Sequence, residues 1–255
     1  MAKIMSLVYR EWILMRKTLL LALAVAAGQV LVFSFLGFNY QNGAFSGNEK
    51  LSNMFAKTGG YFETYLAVFF LISVAESCAA AYESDIKANW TRYAMTVPAD
   101  ARARALAHTL FLLIRVLAAF VVSVIAGLLI TAAFGKSFQA WMAADFGLYC
   151  CVSLAAVCIG EFFRSKATDM ISYKKQTNAM AGACVVLGTM VGLLPAKTMK
   201  SAGAGADPMT ALAPLFEKYT AFRNTAQLFI IPVFLGLIVL IYVIVKRNLD
   251  SLKQS

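Results

Sequence analysis

Two ionisable side chains stand inside long apolar stretches of this 255-residue chain. Glu76 lies about two helical turns from one end of its stretch, and Arg115 about two turns beyond His108, the sole histidine. At 1.5 Å of rise per residue the two reach depths that agree to ~2 Å, so they can meet. An isolated charge in hydrocarbon costs roughly 3 kcal/mol or more, which favours a Glu76 and Arg115 pair or a shared wet cavity. The competing arrangement has Arg115 reaching back to the headgroups and Glu76 protonated. Glu76, Glu161 and Arg115 would also form the acid–base set of a membrane-embedded lipid-processing enzyme. Such an enzyme needs polar residues clustered on facing helices, and these stretches supply few.

Other chemistry finds little support. All five cysteines, Cys78, Cys150, Cys151, Cys158 and Cys184, fall in apolar stretches, where they act as small packing residues. One histidine cannot build a His-rich metal site, and neither G-x-S-x-G nor H-E-x-x-H occurs. Gly135-Lys136-Ser137 reproduces the end of a phosphate-cradling G-x-x-x-x-G-K-[ST] loop, but Ile130 stands where its first glycine is required. The chain is therefore expected to hold no catalytic residue, metal or cofactor, and any ATP-driven work falls to a partner.

The elements that must position these residues are membrane spans. Apolar residues make up 60% of the chain and charged ones 14%, where soluble domains average about 25% charged. A helix needs roughly 20 mostly apolar residues to cross the bilayer with its backbone satisfied internally. Such stretches lie at about 17–38, 61–82, 104–134, 141–163, 178–196 and 225–246. No alternation of the kind a β-barrel demands is present. The fold class is all-α integral membrane: one transmembrane domain over 1–255 with six transmembrane helices. The first span is too long for a cleaved signal peptide and is expected to remain as an anchor.

Charge sets the orientation. With both termini cytoplasmic, fifteen Lys and Arg residues flank the spans inside and seven outside. The net charge of +10 is thus mainly a topology signal suited to an anionic inner leaflet, and its scatter over several loops argues against nucleic acid as a partner. Near the N-terminus Ile4, Val8, Trp12 and Met15 recur at helical spacing among Lys3, Arg10, Arg16 and Lys17. This pattern predicts a separate amphipathic helix in the inner interface; the alternative is a simple extension of the first span. In the fifth span Gly188 and Gly192 form a G-x-x-x-G face for close helix packing, within the chain or against a second copy.

Between the second and third spans the polar segment 83–100 carries Ile86, Trp90, Tyr93 and Ala94 at helical spacing with Asp85, Lys87 and Arg92 around them, and Pro98 ends the pattern. This predicts a short amphipathic cytoplasmic helix presenting Trp90 and Tyr93, either to a partner, as aromatics at binding hot spots do, or to the headgroups.

The run E-x-D-x-x-x-x-W-x-R-Y-x-x-T-x-P-x-x-x-x-x-R, Glu83 through Arg104, resembles the loop after the second span in ABC-2-type transporter permeases, and the six-span layout with the N-terminal YREWILMRK segment is similar too. The chain departs from that family at His108 and at Ala99-Asp100-Ala101. The resemblance implies that the loop is a coupling helix seated on a separate ABC ATPase subunit, with Glu83, Asp85, Lys87, Trp90, Arg92, Tyr93, Met95 and Pro98 as its contact element. It implies an exporter of two ATPase copies, which bind ATP and Mg, and two permease chains, alike or different, in a bacterial plasma membrane. The cargo class it implies is peptides, including amphipathic or antimicrobial ones, or drugs and lipids. An ion-coupled carrier is the third reading, though inverted repeats and broken helices are not evident.

Overall fold

The computed structural model of the chain describes residues 2–44, 47, 100–164, 174, 221–222 and 224–254. Its long elements are four helices: α1 (Ala2–Gln41), α2 (Ala101–Ala133), α3 (Ala140–Arg164) and α4 (Ile230–Gln254), and no strand occurs among the described residues. Each contains a stretch long and apolar enough to cross a membrane: Leu19–Gln41, Ala101–Ala133, Ala140–Phe162 and Ile230–Asp250. These match the first, third, fourth and sixth expected spans to within a few residues. The expected spans at 61–82 and 178–196, residues 83–99 of the coupling segment, Glu76, Gly188 and Gly192 lie outside the described residues.

The exterior identifies the solvent. Leu20, Leu21, Leu31 and Phe35 on α1 and Ile231, Leu235 and Val239 on α4 are all exposed, making apolar surfaces far more continuous than the patches of a few hundred Å² usual on soluble monomers. Side chains that burial leaves uncovered on so apolar a helix face hydrocarbon. The chain is an all-helical membrane protein with transmembrane helices.

One expectation is corrected. The N-terminal residues do not form a separate interfacial helix; they are the first turns of α1, continuous over 40 residues. At 1.5 Å per residue that is about 60 Å, twice the ~30 Å hydrocarbon thickness, so α1 runs on past the membrane core. No proline interrupts residues 2–41. The seam explains the continuity: Val8, Met15, Leu19, Ala26, Val30, Phe33, Gly37 and Tyr40 recur at steps of three, four or seven and face α2 along the whole length. This is the heptad-like spacing that keeps two helices in register at a small crossing angle.

Contacts at the ends fix the directions. Met15 meets Phe111, and Gly37 meets Ala133 and Phe134, so α1 and α2 run parallel, the relation that six spans require of the first and third. A turn at 134–139 reverses the chain into α3, and Ile230 at the start of α4 meets Gly147 near the start of α3, so α3 and α4 run parallel to each other and against α2. The N-terminal ends of α1 and α2 and the C-terminal ends of α3 and α4 therefore share one end of the bundle. α2 is central. Its Leu112, Val116 and Ala119 pack with Leu154 and Val157 of α3 and Ile241 and Val245 of α4.

Local chemistry stops the helices where the topology needs it. At the end of α2 Gly135 takes φ 68°, Gly135 N–H donates to Ala132 O at 3.0 Å and Lys136 N–H to Thr131 O at 2.9 Å. This is the Schellman stop, which glycine supplies without Cβ strain. α1 ends the same way, with Gly43 at φ 73° and Ala44 N–H donating to Asn39 O at 3.0 Å. The Gly135-Lys136-Ser137 triplet is thus a helix terminator. At α4 the ring of Pro232 is incompatible with a helical carbonyl at Leu228, so residues 228–229 form a turn and the helix begins at Ile230.

Gly37 is the point of closest approach between α1 and α2. A Cβ there would stand 2.9 Å from the Ala133 carbonyl carbon and 2.8 Å from Phe134 Cδ2. Backbone cannot yield as a side-chain tip does, so Gly37→Ala should lower stability by about 1–3 kcal/mol, the usual range for overpacking. Thermal unfolding in mild detergent checks this, and an unchanged midpoint would contradict the close approach.

Candidate functional site

α2 opens on a stripe of unusual composition for a buried helix. Arg104, His108, Phe111 and Arg115 follow one another at steps of four, three and four, which places them on one face. Parallel α1 sets Glu11 and Met15 beside this stripe, and antiparallel α3 returns Glu161, three residues from its end, to the same level. The result is a charged cluster among three helices, at the end of the bundle that holds the N-terminus.

His108 Nε2 stands 3.5 Å from Glu161 Oε1. Nε2 is itself buried and makes no aligned hydrogen bond, so the contact is an ion pair only while His108 carries a proton. Glu161 is only 7% exposed. Glu11 and Arg115 act electrostatically on His108 as well. Glu11 in turn accepts a hydrogen bond from Arg10 Nη1 at 3.2 Å, and Arg104 lies near enough to Arg10 for the two cations to repel.

Arg115 is 5% exposed, deeper than any other cation among the described residues. Its Nη1 donates to Met15 Sδ at 3.4 Å and its guanidinium carbon lies 5.6 Å from the Phe111 ring centroid. A polarisable sulfur and an aromatic face are weak but real partners for a planar cation, and the ring distance falls inside the ~6 Å reach of a cation–π contact. Both are among the groups that bed this cation in an apolar interior.

Of the residues singled out from sequence, His108, Arg115 and Glu161 belong to this cluster, with Arg10, Met15 and Arg104 beside them. Glu76 and the coupling residues Glu83, Asp85, Lys87, Trp90, Arg92, Tyr93, Met95 and Pro98 lie outside the described residues. The pairing of His108 with Glu161 was not expected, nor was the bed of Met15 and Phe111. The four-three-four spacing from Arg104 to Arg115 is the signal that marks the stripe, but only the antiparallel return of α3 supplies its acid. Cys150, Cys151 and Cys158 are free thiols buried in the bundle, the packing role expected of them. No group of three His, Cys, Asp or Glu side chains is placed to hold a metal among the described residues.

A second feature lies farther along the bundle. Between α2, α3 and α4 an apolar cavity of about 430 Å³ is lined by Val116, Phe120, Gly147, Cys150, Ile230 and Phe234, among others. At its far rim Gln227 Nε2 donates to Asp145 Oδ1 at 2.8 Å and to Trp141 O at 3.4 Å, tying the entry of α4 to α3. The cavity walls present almost no polar atoms, so they select for apolarity and for little else.

Compared with protein-family models, curated proteins and solved structures, the chain matches none.

Proposed function

We propose that this chain is the transmembrane permease subunit of an ATP-binding-cassette exporter, a half-transporter that forms the translocation path with a second permease and is driven by a separate ATPase. The observation that carries the reading is the run from Glu83 to Arg104, with Trp90, Arg92, Tyr93 and Pro98 at the positions of a coupling helix. Its support in three dimensions is coarser: four helices long and apolar enough to cross a membrane, an apolar exterior, and α2 beginning at Ala101, shortly after Pro98 in the run. In this reading the termini, the segment 83–99 and the charged cluster all face the cytoplasm of a bacterial cell, as the distribution of Lys and Arg favours. The cargo is an amphipathic peptide, a drug or a lipid, and the apolar cavity suits each of them.

One observation favours a second reading. A half-buried His set against a buried Glu on facing helices is also what a proton-coupled carrier employs. Copurification separates the two. Expressed with its neighbouring genes and extracted in mild detergent, the chain should bring down a soluble ATPase in about equimolar amount, and vesicles holding both should hydrolyse ATP. Transport driven by a proton gradient with no ATPase attached would replace the exporter reading by the carrier.

A further inference from the structure

We propose that His108 and Glu161 form a proton-binding site that fastens α2 to α3 at the end of the bundle holding the N-terminus, closed while His108 carries a proton and loosened when it is neutral. This goes beyond the exporter reading and does not depend on it.

The position of the pair makes its charge matter. α2 and α3 are joined covalently only at their opposite ends, through the turn at 134–139. Toward the open end the two helices share the His108 and Glu161 contact at 3.5 Å and a core that contains Ala105 and Leu112 of α2 with Leu154, Val157 and Cys158 of α3. A cation at His108 adds an electrostatic contact to that apolar packing, and its loss weakens the hold between the two helices. The surroundings are of low polarity, where a charge pair interacts more strongly than in water and the loss of one charge is correspondingly larger.

Histidine is the one side chain whose ordinary titration falls between about pH 5 and 8, and it stands here in a membrane helix, where ionisable groups mark functional sites. Among the described residues the charged groups around His108 come from α1, α2 and α3, with Arg104 one turn before it on α2 itself. Glu161 faces it from α3, Glu11 from α1 with Arg10 bonded to it, and Arg115 lies on α2 itself. Cys158, one turn before Glu161, also feels that carboxylate. Among the described residues α4 contributes no charge acting on His108. Arg10 already compensates Glu11, so the charge that varies with pH opposite Glu161 is that of the imidazole 3.5 Å away. Loss of its proton removes the positive charge that His108 presents to Glu161, while Arg115 lies about two turns deeper, against Met15 and Phe111 among others.

The experiment uses two reporters the chain already contains. Because His108 is the only histidine, the full chain labelled with 15N-histidine and held in lipid nanodiscs yields a titration of that residue alone. Cys158 reports the gap between the helices once Cys78, Cys150, Cys151 and Cys184 are replaced by alanine, through its rate of reaction with N-ethylmaleimide. The reference for the intrinsic pH dependence of the thiol is the same chain carrying His108→Arg, whose cation does not titrate. Relative to that reference, the Cys158 rate should rise about tenfold as the pH is raised through the His108 midpoint, as local opening replaces a closed contact. Glu161→Gln should shift the histidine midpoint and remove the step. His108→Gln should react at the fast rate at every pH, which covers the case of an arginine variant that does not fold. A histidine that does not titrate between about pH 5 and 8, or a Cys158 rate in the wild-type background that runs parallel to those of both His108 variants, would overturn the proposal.

Discussion

If the chain is the permease proposed above, replacing Trp90 and Tyr93 together by alanine should release its ATPase while leaving the chain in the membrane. Truncating a central interface aromatic costs about 2 kcal/mol or more, which is roughly a 30-fold loss of affinity for each residue and about a thousandfold for the two if they act independently. Insertion rests on the spans, whose hydrophobicity the two substitutions do not touch. The segment that holds them leads into α2 at Asp100, whose backbone is extended (φ −64°, ψ 143°) and whose carbonyl accepts from Arg104 N–H at 3.2 Å. A force applied to the segment therefore enters the bundle along its central helix. The measurement is the amount of ATPase retained on the tagged chain, together with the stimulation of hydrolysis by cargo. Full retention and full export in the double variant would reduce the loop to a headgroup anchor, and the exporter reading would lose its residue-level support.

If Glu76 and Arg115 pair as their depths in the sequence predict, neutralising Arg115 alone should be far more damaging than neutralising both together. Removing one member of a buried charge pair leaves the other stranded, at about 3–5 kcal/mol, whereas apolar replacement of both is often close to neutral. The surroundings of Arg115 suit the double change: Met15, Phe111, Val8 and Leu19 form an apolar bed in which a leucine would pack. Arg115→Leu should therefore unfold at markedly lower temperature in detergent, and adding Glu76→Leu should return most of the loss. If the double variant is as unstable as the sum of the single ones, Glu76 is not the partner. A rescue by Glu161→Gln in its place would assign that role to the carboxylate already in the cluster.

Much about this protein follows from its residues taken in order. Hydrophobic stretches of sufficient length must be helical in a bilayer, because no water is present to satisfy an open backbone, and Leu19–Gln41, Ala101–Ala133, Ala140–Phe162 and Ile230–Asp250 are such helices. The position of Arg115 inside an apolar stretch was legible too, but whether it is buried or reaches back to the headgroups was not; in the structure it is buried. Helix ends are a local matter, yet the role of Gly135 as a stop became clear only with its positive φ and the two capping bonds.

What required the tertiary structure was every relation between helices. Whether Met1 to Lys17 lies flat on the membrane or prolongs the first span depends on which surface its apolar stripe meets, and α2 offers a seam along the whole of α1. Periodicity reveals a stripe but not its partner. His108 and Glu161 stand 53 residues apart and meet at 3.5 Å because the turn at 134–139 folds α3 back along α2. The register of that return is set by the packing of Val116 and Leu112 against Leu154 and Val157, a property of two surfaces in contact that neither stretch of sequence contains alone.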